Sequence, residues 1–329
     1  MKNILPSQLD AISVTVGPGL SSCLKVGLRK AKELCRQWKL PLIPVNHLEG
    51  HTLSVRLGNQ SLQFPFLLVL VSGGHSQILF CQGLNNYAHL GGTVDDSLGE
   101  AYDKVARSIG LTFAEGGSGV EKLAKNGNPQ QYILPVGMKK QDNCDLSFSG
   151  LKSSVVRLID RIKFEQNGMD LTNQQKNDIA SSFQYAALKQ LSNKIEKALQ
   201  WCRLTDPGSS PTIVVAGGVS RNQELRRIIG EIANLYNLNA YYPPMKYCTD
   251  NGVMIAWAAI ENYKVNSSCV IDNPIDIENI TISSKLPLDK RNPQEKEKQN
   301  DYFKLNYPET VKIKRLGLKP SYEMSNFVK

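Results

Sequence analysis

Residues 68–76, LVLVSGGHS, and residues 212–220, TIVVAGGVS, repeat one design: an apolar run of strand length that ends in a double-glycine turn. Both runs are short, rich in Val, Leu and Ile, and bounded by turn residues, so each reads as a buried strand. Glycine at such a turn lets the backbone approach a ligand closely, and the N–H groups exposed there can cradle phosphate. A lone Gly-Gly after a strand is often a plain turn. Two copies inside an alternating strand and helix pattern predict an α/β fold with a two-lobed nucleotide cleft. Neither copy is a P-loop or a G-x-G-x-x-G, so neither standard nucleotide fingerprint applies.

The flanking sequence supplies that alternation. Ala11–Val16 is a strand closed by Gly17-Pro18-Gly19, and Leu24, Leu28, Ala31 and Cys35 recur at helical spacing over residues 20–38. Pro41–Val45 reads as a short strand, and a helix opens at His47. After the first double glycine the pattern predicts a strand over Gln77–Cys81 and a helix over Glu100–Ile109. A glycine loop at 116–119 precedes a short helix from Val120. Ile179, Phe183, Ala187, Leu191, Ile195 and Leu199 predict a long helix over about 177–202, stopped by Thr205-Asp206-Pro207-Gly208. A helix from Gln223, a strand over Leu238–Tyr242 and an Ala-rich helix over Asn251–Tyr263 follow. The predicted lobes are residues 1–63 with 252–283, and residues 64–251 with a helical insertion at about 140–205. Residues 284–329 are polar, Lys-rich and Pro-punctuated, which predicts a disordered tail.

A chain of 329 residues with 41% hydrophobic content has room for two packed lobes and is not disordered throughout. No apolar run approaches the roughly 20 residues of a membrane helix, so no membrane partner is expected. The net charge of +9 suggests an acidic partner, nucleic acid being the usual one, or a solvated surface with a Lys-rich tail. The seven cysteines are odd in number, scattered and without C-x-x-C, which argues against a disulfide scaffold or a zinc ribbon and predicts a reducing compartment. The first residues show neither a signal-peptide core nor an Arg/Ser-rich amphipathic presequence.

Two of the four histidines form His47-Leu48-Glu49-Gly50-His51. A pair at i and i+4 shares one helix face and can grip one ion. The zincin pattern needs Glu directly after the first His; here it comes one residue later, rotated by about 100° away. A third ligand must come from elsewhere. Asp250, at the start of the Ala-rich helix, reads equally well as that ligand and as an ordinary N-cap. Asp95, Asp96, Glu100 and Asp103 form a second acidic group, with a solvated helix face as the plain alternative. Residues 147–152, SFSGLK, are a hydroxyl-rich turn with a lysine that either touches phosphate or caps a helix.

Taken together, these motifs resemble the tRNA N6-adenosine threonylcarbamoyltransferase family of the actin-like ATPase superfamily. The carrying segments, in family order, are VGPGLSSCLKVG (16–27), NHLEGH (46–51), FPFLLVLVSGGHSQ (64–77), DDSLGEAYDKVAR (95–107), LSFSGLK (146–152), DIASSFQ (178–184), VVAGGVSRN (214–222) and CTDNGVMIAWA (248–258). The form H-L-E-G-H is similar to the bacterial and organellar branch, and with the Lys-rich tail it suggests a mitochondrial member. The resemblance implies a two-lobed actin-like ATPase fold. It implies one divalent ion, Fe or Zn, on His47, His51 and Asp250. It implies a substrate loop of Leu70, Val71, Ser72, Gly73 and Gly74, with Asp103, Gly117 and Asn222 also binding substrate. At Gly117 the chain has Gly-Gly-Ser where the family has Gly-Gly-Pro. His75 matches a family histidine and receives no role, and no general base is identified. Family members also carry a strand and an acidic Ser/Thr-rich turn upstream of V-G-P-G, so an incomplete first lobe with an exposed sheet edge is expected here.

The implied reaction is acyl transfer from threonylcarbamoyl-AMP, supplied by a separate synthase, to an anticodon-loop adenosine of tRNA, and the implied assembly is a homodimer. Two further readings stay open: a metallopeptidase resting on H-x-E-x-H, and a non-catalytic nucleotide-binding module of the same fold.

Overall fold

The computed structural model describes residues 5–205 and 212–291. In chain order the elements are β1 (Ile12–Gly17), α1 (Ser21–Trp38), β2 (Leu42–Asn46), α2 (His47–Ser54), β3 (Phe66–Val71), β4 (Ser76–Gly83), β5 (Asn86–Gly92), α3 (Leu98–Ser108), α4 (Gly116–Ala124), α5 (Ser149–Glu165), α6 (Asn173–Thr205), β6 (Thr212–Ala216), α7 (Gln223–Tyr236), β7 (Ala240–Tyr241), α8 (Gly252–Val265) and α9 (Pro274–Asn279). They build two sheets. β1 and β2 pair in parallel, and a second sheet runs β5-β4-β3-β6-β7.

The centre of the larger sheet decides the site. β3 and β6 are parallel neighbours, with Phe66 opposite Thr212 and Leu70 opposite Ala216. Parallel neighbours end at the same edge, so the two double-glycine turns emerge side by side. All six residues of β3 are buried. Leu67, Val69 and Val71 face a core completed by α3, α5, α6 and α7, while Phe66, Leu68 and Leu70 face Leu48 and Val55 from the α2 side. A strand covered on both faces reads as a continuous apolar run, which is why periodicity is missing there. α6 supplies the long core stripe, and Phe183 meets Tyr102 edge to face at 5.0 Å. α8 lays Met254, Ile255 and Ala258 against Ile43 and Val45 of the smaller sheet and Leu53 of α2. Gly50 of α2 packs tightly against α8: a Cβ there would lie 2.8 Å from Ile255 Cδ1.

Several expectations need correction. Residues 116–119 are not a loop but the first turn of α4. Helical bonding begins earlier, with Gly116 N–H on Thr112 C=O and Gly119 N–H on Glu115 C=O, and Glu115 turns back to accept from the Thr112 N–H. SFSGLK opens α5, in line with its helix-end reading, and its cap comes from a distant residue. The Asp95 carboxylate accepts from Phe148 N–H at 2.8 Å and from the Ser147 and Ser149 hydroxyls, while Asp96 pairs with Lys104 and Lys152. The strand expected over 238–242 shortens to two residues. Residues 284–291 of the expected tail pack on the fold: Leu288 is 4% exposed, Asn46 donates to Leu286 C=O, and Asp289 accepts from the His89 N–H. Residues 292–329 of the expected tail, and 206–208 of the expected helix stop, lie outside the described residues.

One buried lysine of α6 gives a measurable pH effect. Lys194 is 2% exposed and donates to the carbonyls of Gln141 and Asn143. Burial, with Lys197 adding to the effect, pushes its ammonium down to about 8. The unfolded chain holds that proton to about pH 10.4, so between these values unfolding takes up a proton and rising pH favours the native state. The stability of the native chain relative to Lys194→Met is therefore expected to rise from pH 8 to 10 by up to about 3 kcal/mol, read from denaturant midpoints. A flat difference across that window overturns this reading.

Candidate metal and substrate site

His47 and His51 lie one turn apart on α2, whose first turn is capped by the Asn46 side chain accepting from Leu48 N–H. Their rings sit edge to face with centroids 4.8 Å apart. Asp250 arrives from the segment before α8. The cap of that helix is Asn251, which accepts from Met254 N–H at 2.9 Å, so Asp250 is free of capping duty. Its Oδ1 lies 3.0 Å from His51 Nε2 and 3.4 Å from His47 Nε2.

These three donors lie within 4.8 Å of one another and form a candidate metal site. Tetrahedral ligands at about 2.1 Å from a metal stand about 3.4 Å apart, so two imidazoles converging on one carboxylate oxygen fit a bound divalent ion. Hydrogen bonds from His47 and then His51 hold the Asp250 carboxyl well below the usual carboxylate range. His75 lies on the same cavity, and burial lowers its imidazole pKa, with His47 and His51 adding to the effect.

Glu49 faces elsewhere. It is buried, accepting from Tyr87 OH at 2.7 Å and from Asn262 Nδ2 at 3.0 Å. It anchors α2 to β5 and α8 and cannot serve as a base beside the histidines. Glu49→Gln is expected to leave metal affinity unchanged while costing about 1–3 kcal/mol of stability, because a donor then faces the Asn262 amide. Metal titration and thermal unfolding together check this; lost metal with unchanged stability contradicts it.

The cleft has two chambers that share Gly73. One, of about 790 Å³, is lined by His47, Ser72, Gly73, Gly74, His75 and Asp250 among others. The other, of about 610 Å³, is lined by Gly73, Asp103, Gly117 and Asn222 with their neighbours. Leu70 and Val71 line neither; they are wholly buried in β3. The shared loop is pinned by α3. Ser97 Oγ donates to Gly73 C=O at 2.6 Å, Gly99 N–H to Ser72 C=O at 3.2 Å, and Ser72 N–H to His75 C=O at 2.8 Å. A Cβ at Gly99 would meet Ser72 O at 2.5 Å, so only glycine permits this approach.

In the second chamber Asp103 Oδ1 accepts from Gly117 N–H at 2.9 Å, satisfying a free donor of the first turn of α4. Asn222 caps α7, its Oδ1 accepting from Leu225 N–H, and its Nδ2 donates to Gln184 Oε1 at 3.0 Å. Sequence reading overlooked Ser97, Gly99 and Gln184. The S-x-x-E spacing of Ser97 and Glu100 is the signal for the first; Gln184 carries only the oddity of an amide within a core stripe.

The sequence model of the tRNA N6-adenosine threonylcarbamoyltransferase family matches residues 2–257. The tRNA N6-adenosine threonylcarbamoyltransferase of Pelagibacter ubique (strain HTCC1062) is 41% identical over 266 residues, covering 81% of this chain and 72% of that protein. The probable mitochondrial tRNA N6-adenosine threonylcarbamoyltransferase of Arabidopsis thaliana is 40% identical over 274 residues, 80% of this chain and 56% of that one. The Anaplasma phagocytophilum (strain HZ) protein of the same description is 43% identical over 256 residues, 78% and 72%. Among solved structures, T. kodakarensis HypF aligns with a TM-score of 0.55 at 15% identity, over 79% of this chain and 41% of that one. Full-length HypF in its phosphate- and nucleotide-bound form gives 0.52 at 16% identity, over 79% and 40%. At such identities the likeness concerns the fold alone, an α/β architecture with mixed sheets of the actin-like ATPase type.

Proposed function

The chain belongs to the tRNA N6-adenosine threonylcarbamoyltransferase family, and we propose that the two-chambered cleft carries out that family's acyl transfer. The N6 amine of adenosine 37 in ANN-decoding tRNA attacks the carbamoyl carbon of threonylcarbamoyl-AMP. The bond from that carbon to the phosphate oxygen breaks, AMP leaves, and the N6 proton is lost to a base. The observation that supports the assignment to this cleft is the parallel register of β3 and β6, from which the two double-glycine turns emerge side by side, with Gly73 and Gly74 on the cavity of His47 and Asp250 and Gly218 on the adjoining chamber.

An amine conjugated to a purine is a weak nucleophile, so placing it against the acyl carbon supplies much of the rate. The Gly73-Gly74 and Gly217-Gly218 turns hold the adenylate through backbone N–H groups. Asp103 and Asn222 accept and donate hydrogen bonds to its hydroxyls. His47, His51 and Asp250 hold one divalent ion, Fe or Zn, which when bound supplies Lewis acidity toward substrate oxygens.

The partners follow from the same reading. Each tRNA phosphate neutralised by the basic surface releases counterions, so affinity for tRNA is expected to drop at least tenfold between 50 and 200 mM salt. Salt-independent binding overturns a basic docking track. The chain acts as a homodimer, supported by Val26 standing exposed on α1 and Leu20 just before it, and tested by sedimentation equilibrium. It works in the mitochondrion, supported by the mitochondrial description of the Arabidopsis relative and tested by fractionation.

The direct test supplies unmodified ANN-decoding tRNA, threonylcarbamoyl-AMP synthase, threonine, bicarbonate and ATP, and looks for threonylcarbamoyladenosine by mass spectrometry. Product with the native chain and none with Asp250→Ala supports the assignment. Equal product in both removes Asp250 from the chemistry, and nucleotide binding without product in either favours a non-catalytic module.

A further inference from the structure

We infer that Gln184 is a positioning residue for the second chamber, holding Asn222 and the α3 wall in the arrangement that receives the adenylate. This rests on the reading of that chamber as the threonylcarbamoyl-AMP site. Gln184 belongs to α6, directly after Phe183, and is 7% exposed. Its Oε1 accepts two hydrogen bonds, from Asn222 Nδ2 at 3.0 Å and from Tyr102 OH at 3.3 Å. One oxygen thereby joins the core helix to two separate walls of the chamber.

Each wall has a second tie. Asn222 also accepts from Leu225 N–H, so its amide is fixed at both ends. An amide group has two donor hydrogens and two acceptor positions, and these two bonds leave one of each for a ligand. Tyr102 immediately precedes Asp103, and its Cβ would stand 3.1 Å from a Cβ added at Gly117. The Tyr102 ring, fixed by Phe183 and Gln184, sets the height at which Asp103 accepts from Gly117 N–H.

A buried amide costs stability unless it is bonded, and an apolar residue would fill the same space in the α6 stripe. Gln184 as mere core filling would explain one partner. It does not explain why both partners, Asn222 and Tyr102, line the chamber. Without Gln184, Asn222 keeps its cap but its Nδ2 loses the partner that fixes the amide plane. A ligand must then order that group as it binds.

Steady-state kinetics on the full, metal-loaded chain test this. Gln184→Met keeps length and volume but removes the acceptor; it is expected to raise KM for threonylcarbamoyl-AMP about tenfold with kcat, KM for tRNA and metal content nearly unchanged. Gln184→Glu keeps an acceptor oxygen and is expected to recover most of that loss. Tyr102→Phe removes one donor only and is expected to raise KM about threefold, which keeps the proposal testable if Gln184→Met does not fold. Asn222→Ser retains a capping oxygen but loses the amide. Combined with Gln184→Met it is expected to be worse than alone by no more than the threefold of the Tyr102 tie, since the rest of the Gln184 effect runs through Asn222. If Asn222→Ser raises KM while Gln184→Met and Tyr102→Phe leave it unchanged, the positioning role is overturned. If Asn222→Ser itself leaves KM unchanged, the chamber is not the adenylate site and the proposal falls with that reading.

Discussion

Asp250→Ala is expected to strip bound metal from the protein while leaving it folded. The carboxylate is exposed over 76% of its side chain, and Asn251 rather than Asp250 caps α8, so its removal uncaps no helix and opens no cavity. What disappears is the one anionic donor at the convergence point of two imidazoles. Losing a hydrogen-bond partner of a ligand already costs 10- to 100-fold in metal affinity, and losing a ligand outright is expected to cost at least about a hundredfold. Metal analysis of the dialysed protein beside a thermal melt reads both parts. Metal absent, with the melting temperature of the metal-free native chain, is the expected pair, and full occupancy in Asp250→Ala would falsify the ligand assignment. His51→Ala makes the complementary case. His51 is 1% exposed, so its truncation is expected to lose metal and also about 2–3 kcal/mol of stability through the cavity left in α2.

The sequence made some of this legible and concealed the rest for identifiable reasons. Strands such as β3 and β6 and the stripe of α6 announce themselves because their burial is governed by their own side chains. The His47 and His51 pair is equally local, since four residues on a helix fix its geometry. What stays hidden depends on partners far along the chain. α5 opens on Ser149 with its cap provided by Asp95, more than fifty residues upstream. The glycines at 116–119 look like a loop because glycine is a poor helix former, yet Asp103 and Glu115 satisfy their first-turn donors. Leu288 and Asp289 sit in a polar stretch whose average composition says nothing of two anchored residues. The choice between cap and ligand for Asp250 was undecidable from spacing, because Asn251 beside it is an equally good cap and only geometry shows which residue caps α8.

The two double-glycine turns are expected to separate sharply under substitution, although the sequence presents them as equivalent. Gly217 has φ of +92°, and a Cβ there would lie 2.4 Å from Val71 O. That oxygen belongs to the last residue of β3, held in register with Ser76 on one side of the sheet, so it cannot retreat. Gly217→Ala combines a left-handed backbone with a backbone clash and is expected to cost about 3–5 kcal/mol, a fall of roughly 10 °C in Tm. Its neighbour Gly218 meets nothing nearer than Thr249 Cγ2 at 3.8 Å, and Gly74 meets nothing within 4 Å. Neither Gly218→Ala nor Gly74→Ala has reason to disturb the fold beyond about 0.5 kcal/mol. A methyl at Gly74 instead occupies the space that a ligand needs in order to reach the backbone N–H groups. Gly74→Ala is therefore expected to raise KM for threonylcarbamoyl-AMP at least tenfold at an unchanged melting temperature. The pair of variants separates two uses of glycine, one for closing the sheet edge and one for admitting substrate. Unchanged KM in Gly74→Ala would mean that the first turn, though open, is not where the adenylate lies.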